Sequence, residues 1–320
     1  MTKIRVGVVG AGQFGKNHAR VVSGSSRAKL VAVVDTDPVR ARQAAEQHGC
    51  EALGHFSALD GKVDAAIVAV PTTLHSEVGC GLIRAGIDIL VEKPIAPSAD
   101  GAEQVIQAAR ENGRILQVGH LERFNPAVKA LESAATLPLF FEVHRLSEFS
   151  PRSLDVDVVL DLMIHDLDIV LNLVKSTLVE VRAAGISILS GRVDIANVRL
   201  EFKNGCVANL TASRVSTERV RKLRLFQPGQ YISLDYSKQG VLAISVDRQR
   251  KIGFAELPVV KAEPLALQFD SFLDSVASRN PPKVTGESAL ETLRVALGIL
   301  AKIEEHGDIV SRSLVSGWKL

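Results

Sequence analysis

One apolar stretch of the sequence contains three residues whose side chains and spacing suit acid–base chemistry: Asp161, His165 and Asp168. Asp161 and His165 lie four residues apart in an otherwise apolar stretch, and Asp168 follows three residues later. In a helix these side chains share one face. A carboxylate beside a histidine holds the ring in one tautomer and tunes it as an acid–base group near neutral pH. The alternative is a histidine hydrogen-bonded within the core. Since no further His or Glu cluster lies nearby, we expect no metal.

Lys93 is a second candidate for chemistry. The triplet Glu92-Lys93-Pro94 follows the apolar run 87–91 directly. If that run is a strand of a parallel sheet, Lys93 lies at the carboxyl edge, where doubly wound folds bind ligands. There it can donate a hydrogen bond to a substrate hydroxyl and stabilise a developing alkoxide. The alternative is a solvated loop lysine.

The N-terminal residues carry a dinucleotide-binding pattern. Gly10, Gly12 and Gly15 follow an apolar run and precede a helical pattern, and Asp35 ends the next apolar run twenty residues later. The glycines permit a tight turn, close approach of a pyrophosphate and close helix–strand packing, while the acid accepts from a ribose diol. The carboxylate favours NAD over NADP, although nearby arginines weaken that argument. We expect the cofactor to contact Gly10, Gly12, Gln13, Phe14, Gly15, Asp35, Pro71, Thr72, His75, Glu92 and Lys93.

Two loops add weaker candidates. The loop with Pro71, Thr72 and His75 follows another apolar strand, so it also reaches the carboxyl edge of the sheet. The alternative role for this loop is structural, with Thr72 or Thr73 as the cap of the helix that follows. The segment 119–126 lies where the pattern changes, and clefts between domains are common ligand sites. Arg123 is a candidate anion or substrate contact there, with an interdomain salt bridge as the alternative.

The order of elements predicts two domains. The first 120 residues alternate strands and helices, which indicates a doubly wound parallel sheet covered on both faces. Residues 121–320 form strands in succession plus helices, which indicates an α+β domain with an open, largely antiparallel sheet.

Asn125 and Pro126 predict a helix start, with Asn125 as the cap. Predicted strands are 4–9, 30–34, 65–70, 87–91, 115–118, 139–145 and several between 179 and 246; predicted helices are 14–22, 38–48, 76–85, 99–111, 158–174, 265–277 and 288–305.

The composition of the chain argues against several classes of function. The 320 residues carry a net charge of +2, with 4% aromatic residues. This balance disfavours a nucleic-acid or membrane surface. The three cysteines have no CxxC spacing, which argues against a zinc site or a disulfide framework. Together with the absence of a signal pattern or a run of about 20 apolar residues, they predict a cytoplasmic protein.

Three motifs together resemble the Gfo/Idh/MocA oxidoreductases. They are Gly10-Ala11-Gly12-x-x-Gly15-x-x-His18, Glu92-Lys93-Pro94 and Asp161-x-x-x-His165-Asp166-x-Asp168, in this order. The resemblance implies an N-terminal Rossmann domain and a C-terminal α/β domain whose open sheet mediates oligomerisation. It further implies catalytic roles for Lys93, Asp161 and His165, with the proton acceptor left open between Lys93 and His165. The Lys93–Pro94 bond is often cis in such proteins.

Local sequence resembles one branch of that family. Residues 155–160 lack the glycines of many members, and Met163 stands where glycine is frequent. These features and segment 119–126 are similar to enzymes that oxidise C3 of UDP-N-acetylglucosamine, whose product an aminotransferase uses for lipid A or surface glycans. The resemblance implies NAD, a homodimer or homotetramer, and substrate contacts from His120, Arg123, Phe124, Asn125, Arg152, Asp161 and His165.

Two alternatives stay open at this stage. One is a dehydrogenase of a free sugar or cyclitol, similar to inositol dehydrogenase. The other is a non-catalytic NAD-binding regulator. The presence of Lys93 and His165 argues against the regulator.

Overall fold

The computed structural model describes residues 3–149 and 156–315, with side chains described to residue 309. Two compact units account for the chain. The first comprises Met1–Phe124 and Glu263–Leu293, and the second comprises Asn125–Ala262 and Arg294–Leu320. Segment 263–293 therefore groups with the N-terminal unit, whereas the sequence pattern assigned everything after residue 120 to the second domain. The physical reason is burial: Phe269, Phe272 and Leu273 belong to the apolar core that also contains Val6 and Leu90.

The first unit is built on a six-stranded parallel sheet in the order β3-β2-β1-β4-β5-β6. The order reverses between β1 and β4, as it does in doubly wound dinucleotide-binding folds. All four β4 residues are buried, because helices cover both faces of such a sheet. Its elements are β1 (Ile4–Val9), α1 (Gln13–Gly24), β2 (Ala28–Val34), α2 (Pro38–His48), β3 (Glu51–Leu53), β4 (Ala65–Val68), α3 (His75–Arg84), β5 (Asp88–Glu92), α4 (Ala99–Glu111) and β6 (Leu116–Gly119).

The second unit is built on an eight-stranded sheet in the order β14-β13-β12-β11-β7-β10-β9-β8. Only β7 and β10 run parallel to each other among these pairs, so the expected largely antiparallel sheet is confirmed. The later elements of the chain are α5 (Pro126–Ala134), β7 (Phe140–Glu148), α6 (Ile164–Val174), β8 (Leu178–Ile186), β9 (Ile195–Phe202), β10 (Val207–Ser216), β11 (Val220–Gln227), β12 (Gln230–Asp235), β13 (Gly240–Val246), β14 (Ile252–Glu256), α7 (Pro264–Ser278) and α8 (Gly286–Val315).

One face of the second sheet is apolar and the other is mixed. On β9 the buried positions are Ala196, Val198, Leu200 and Phe202, and they alternate with more exposed residues. This period of two is expected for a sheet with one face on a core and one face open. The open face carries polar cross-strand pairs, such as Asn197 Nδ2 donating to Thr211 Oγ1 at 2.9 Å.

Local signals placed the helix starts well. The Asp37 carboxylate accepts from the backbone N–H groups of Val39 and Arg40 at the start of α2, which begins at the predicted residue 38. Asn125 likewise caps α5 by accepting from Ala127 N at 3.0 Å. The alternative role of Thr72 or Thr73 as a helix cap is not observed, since α3 starts after Leu74 without a side-chain cap. A 3₁₀ turn over Thr72–Leu74 precedes that helix and already directs the chain into it.

Candidate functional site

The turn between β1 and α1 has the geometry of a phosphate-binding loop. Gly10 has φ +101°, and a Cβ there would lie 2.4 Å from the carbonyl oxygen of Ala69. A Cβ on Gly15 would lie 1.7 Å from the Gly10 carbonyl oxygen, so no side chain fits at either position. At Gly12, by contrast, a Cβ would meet nothing within 4 Å. The chain is therefore packed against itself on both sides of Gly12 and open at Gly12 itself, where a ligand can approach the backbone.

The first turn of α1 supplies the donors. Gly12 is the residue before the helix, and it has no side chain to cap the free N–H groups that follow. The helix dipole adds positive potential at the same place, so this terminus suits a pyrophosphate. The residues present thus fit the dinucleotide that the sequence predicts.

A cavity of about 520 Å³ opens beside this turn. Six of the residues predicted to contact the cofactor line it: Gly10, Gly12, Gln13, Phe14, Asp35 and Pro71. Phe14 and Leu74 are exposed large apolar residues on its wall, at 52% and 40% of their surface, and they offer apolar area to a ring. The other lining residues are Val9, Val34, Thr36, Arg40, Gly54, His55, Phe56, Ala69, Val70, Glu77 and Val78.

Asp35 connects the glycine-rich turn to the end of β2. Its Oδ2 accepts from Ala11 N at 2.7 Å, and its Oδ1 accepts from Asp37 N at 2.8 Å. Each carboxylate oxygen has a second lone pair, so the group retains capacity for a ribose hydroxyl. The Arg40 guanidinium lies 2.9 Å from Asp37 and 3.9 Å from Asp35, so its charge is shared between two carboxylates.

Lys93 follows the last residue of β5, at the carboxyl edge where it was expected. It is half-buried, while Glu92 and Pro94 on either side are buried. The Lys93–Pro94 peptide bond is cis, as the family resemblance implied. Glu92 Oε1 lies 2.7 Å from His18 Nε2 in a buried pair.

His75, at the start of α3, is 1% exposed. Its Nδ1 lies 2.8 Å from the Pro94 carbonyl oxygen and its Nε2 lies 3.0 Å from the Val70 carbonyl oxygen. The contacts of Glu92 and His75 are therefore with the protein, on the two sides of Lys93. Their predicted contacts with a cofactor stay predictions.

Asp161 and His165 lie in the second unit, on the helical stretch predicted between residues 158 and 174. That stretch opens with a π-helical turn, Val159–Met163, which continues into α6. Such turns are frequent at functional sites. Asp161 and His165 are both half-exposed, whereas Asp168 is 2% exposed. The structure thus leaves the first two partly accessible and places Asp168 in the interior.

The start of this helical stretch is fixed by hydrogen bonds within the second unit. Val158 N donates to the Val193 carbonyl at 3.0 Å, and Val193 N donates to Asp157 Oδ1 at 3.0 Å. The Arg214 guanidinium donates to the carbonyl of Val156. These bonds hold the chain that leads into the π-helical turn carrying Asp161.

Segment 119–126 contributes buried rather than exposed side chains. His120, Arg123, Phe124 and Asn125 are exposed by 1%, 6%, 1% and 2%. The Asn125 amide donates to the Tyr236 carbonyl oxygen at 3.2 Å while it caps α5. Substrate contacts from these four residues stay predictions, and Arg152 lies outside the described residues.

Part of the cavity wall was not predicted from the sequence. Thr36, His55, Phe56 and Glu77 line it but were not predicted. His55 and Phe56 follow β3, a three-residue strand with little burial that the periodicity did not reveal. The available signal was topological, since the carboxyl ends of all strands in a parallel sheet lie at one edge.

Comparisons with known proteins identify the family. Residues 4–120 match the Gfo/Idh/MocA oxidoreductase family with its NAD-binding Rossmann fold, and residues 136–227 match the C-terminal domain of that family. The chain is 34% identical to UDP-N-acetylglucosamine 3-dehydrogenase of Acidithiobacillus ferrooxidans, over 95% of this chain and 98% of that protein. A solved structure of that enzyme superposes with a TM-score of 0.89 and covers 95% of this chain and 99% of its own.

A second relative is more distant. The inositol 2-dehydrogenase of Rhizobium meliloti is 27% identical over 96% of this chain and 98% of that protein. Within the described residues, no helix is both long and apolar enough to cross a membrane. The matched domains, the parallel sheet and the turn at Gly12 lead to one conclusion: the chain belongs to the Gfo/Idh/MocA family of NAD-binding oxidoreductases.

Proposed function

We propose that the protein is an NAD-dependent dehydrogenase that oxidises C3 of UDP-N-acetylglucosamine to the 3-keto sugar. The observation that carries this proposal is the 34% identity over 95% of the chain to a UDP-N-acetylglucosamine 3-dehydrogenase. The retained Lys93, Asp161 and His165 are consistent with a catalytic member of the family.

Three side chains carry the proposed chemistry. When bound, the nicotinamide cofactor supplies the hydride acceptor. His165 removes the proton of the sugar hydroxyl, and Asp161 orients its ring and stabilises the imidazolium that forms. Lys93 donates a hydrogen bond to the same oxygen and stabilises the negative charge that develops there. The uridine diphosphate binds remotely and thereby orients the sugar.

The cavity at the end of β1 and β2 is the proposed cofactor site. Gly10, Gly12 and the first turn of α1 would hold the pyrophosphate, and Asp35 would accept from the ribose 2′-hydroxyl. A 2′-phosphate would be repelled by Asp35, and the nearby Arg40 is already paired with Asp37. Titration of the protein with NAD and with NADP tests this preference, and tighter binding of NADP would reject it.

The substrate assay separates two candidates. The purified protein is given NAD with UDP-N-acetylglucosamine, then with inositol and with free glucose. A 3-keto nucleotide sugar, trapped by an aminotransferase, supports the proposal. Turnover of a free polyol and none of the UDP-sugar would instead support the inositol-dehydrogenase-like function that the second relative suggests.

The same proposal predicts the oligomeric state of the enzyme, a partner enzyme and a cellular location. We expect a homodimer or homotetramer formed through the open face of the second sheet, measurable by light scattering, and an aminotransferase that consumes the product. A cytoplasmic location accords with three free thiols at Cys50, Cys80 and Cys206. Burial raises the pKa of the Cys206 thiol to about 11, which keeps it protonated and unreactive.

A further inference from the structure

Each neighbour of Lys93 is held by a different buried histidine. On the N-terminal side, Glu92 Oε1 lies 2.7 Å from Nε2 of His18, which is fully buried on α1. On the C-terminal side, the Pro94 carbonyl oxygen lies 2.8 Å from Nδ1 of His75. The two histidines come from different helices, yet both act on the three-residue segment centred on Lys93.

The backbone of Gly119 lies against the Glu92 carboxylate and limits its movement on a third side. A Cβ on Gly119 would lie 3.0 Å from the carboxyl carbon of Glu92 and 3.0 Å from each carboxyl oxygen. Gly119 is paired with Glu92 in the β5–β6 ladder, so its bare backbone forms a wall against that group. The carboxylate is thus confined between the β6 backbone and the His18 ring.

His75 also joins two strand ends. Its Nε2 lies 3.0 Å from the carbonyl oxygen of Val70, which follows β4, while its Nδ1 reaches the Pro94 carbonyl that follows β5. Both partners are acceptors, and a neutral imidazole carries one N–H, so the ring donates to one carbonyl at a time. The buried ring is therefore hydrogen-bonded to one of the two loops and packed against the other, where the chain leaves β4 and β5.

We propose that His18 and His75 are positioning residues for Lys93. His18 holds the Glu92 side chain and His75 holds the Pro94 backbone carbonyl. Together these two contacts determine where the Lys93 ammonium group lies. This inference rests on the proposed catalytic role of Lys93. In this proposal Glu92 and His75 help to position Lys93, a role distinct from the cofactor contacts that the sequence predicted for them.

The first test is kinetic and uses the full-length protein with NAD. His18→Leu and His75→Leu remove the ring nitrogens, whereas His18→Gln and His75→Gln retain an amide donor. We expect the Leu variants to lower kcat by up to about 10²-fold, the scale of a misplacement near 1 Å, without changing the dissociation constant of NAD. The Gln variants should recover part of the loss. His48→Gln, on the last turn of α2, is the matched control and should behave as wild type.

A double-mutant cycle shows whether the histidines act through Lys93. If they do, His75→Leu lowers kcat in the wild type but not in a Lys93→Ala background. An equal loss in both backgrounds would mean a general structural effect and would overturn the inference. If Lys93→Ala alone retains full turnover, the proposed catalytic role fails, and the labelling test below still decides the positioning role.

Amine labelling measures the position of Lys93 without an activity assay. Acetic anhydride is applied to the NAD-bound protein, and acetylation of Lys93 is compared by mass spectrometry with that of the exposed Lys29 on β2. We expect the Lys93-to-Lys29 ratio to change in both Leu variants and to return toward wild type in the Gln variants. An unchanged ratio in folded Leu variants, checked by circular dichroism, would overturn the inference.

Discussion

Arg145 and Asp166 form a buried bidentate ion pair beside the proposed catalytic histidine. The Arg145 Nε donates to Asp166 Oδ2 at 2.6 Å, and its Nη2 donates to Oδ1 at 3.0 Å. Both side chains are 2% exposed, and the guanidinium lies 4.9 Å from the centroid of the Tyr236 ring. Because Asp166 follows His165 directly, this pair joins the first turn of α6 to β7.

We expect removal of one partner of this pair to destabilise the second unit strongly. Arg145→Met or Asp166→Asn leaves the remaining charge buried without the opposite charge of this pair, at a cost of about 3–5 kcal/mol. Urea denaturation followed by circular dichroism measures the loss. The control is Arg224→Met, which breaks a half-exposed pair with Glu142 at 2.9 Å and should cost less than about 1 kcal/mol. Equal losses for the two pairs would contradict the role given to burial.

Gly12 and Gly15 should respond in opposite ways to the same substitution. Gly15→Ala places a methyl group 1.7 Å from the Gly10 carbonyl oxygen, so the turn must shift and the melting temperature should fall. Gly12→Ala adds its methyl group in open space, so stability should be retained. The same methyl occupies the space proposed for the pyrophosphate, and we expect NAD affinity to fall about tenfold, or about 1.4 kcal/mol. Calorimetry gives both quantities, and intact NAD affinity in Gly12→Ala would reject the placement of the pyrophosphate.

Lys93→Ala and His165→Ala should each reduce kcat by about 10²- to 10⁴-fold, the usual contribution of acid–base groups. Neither change should alter folding, because both side chains are only half-buried. Stopped-flow measurement of NADH formation gives the rates. Lys29→Ala on β2 and His144→Gln on β7 are the matched controls. A catalytic variant as fast as its control would reject the assignment. The pH profile of each variant also shows which group accepts the proton, because the limb belonging to the removed group disappears.

His75 should make stability depend on pH. Burial, the largest effect, lowers the pKa of His75 below its ordinary value of 6.5, while the carbonyls of Pro94 and Val70 oppose the shift. The charged neighbours are Glu92, which raises this pKa, and Lys93, which lowers it. Below pH 6.5 the unfolded chain therefore binds more protons at this site than the folded one. The free energy of unfolding should fall as the pH drops through this range, by at most about 1.4 kcal/mol per pH unit.

Urea titrations at pH values on both sides of 6.5 check this slope. His75→Gln should reduce the pH dependence, and His48→Gln should leave it unchanged. If wild type and His75→Gln lose stability in parallel as the pH falls, the buried ring is not the source.

The sequence predicted elements well where local signals determine them. The bounds of α2 and α4 agree with prediction at both ends, because a cap residue opens each helix and a polar or glycine-containing segment ends it. Short exposed strands were missed: all five residues of β14 are exposed, so neither face of this strand is packed on a core. The π-helical turn was also missed, since its side-chain pattern resembles that of an α-helix.

Sequence motifs led to six of the residues that line the candidate cavity, but not to the contacts between side chains around it. Motif spacing located the lining glycines, Asp35 and Lys93. The contact between His18 and Glu92 joins residues 74 positions apart, and that between His75 and Pro94 joins residues 19 positions apart. Such pairs depend on the packing of helices against the sheet, which the order of elements does not specify in atomic detail.

The two hydrogen bonds of Asp35 restrict how this chain can change its nucleotide preference. A substitution that removes the carboxylate to admit a 2′-phosphate also removes the acceptor of Ala11 N and Asp37 N. An unsatisfied donor of this kind costs about 1–3 kcal/mol, within the same turn that must receive the pyrophosphate. An evolutionary or engineered path to NADP therefore passes through a residue that still accepts from the backbone, such as asparagine or serine, before any cation is added.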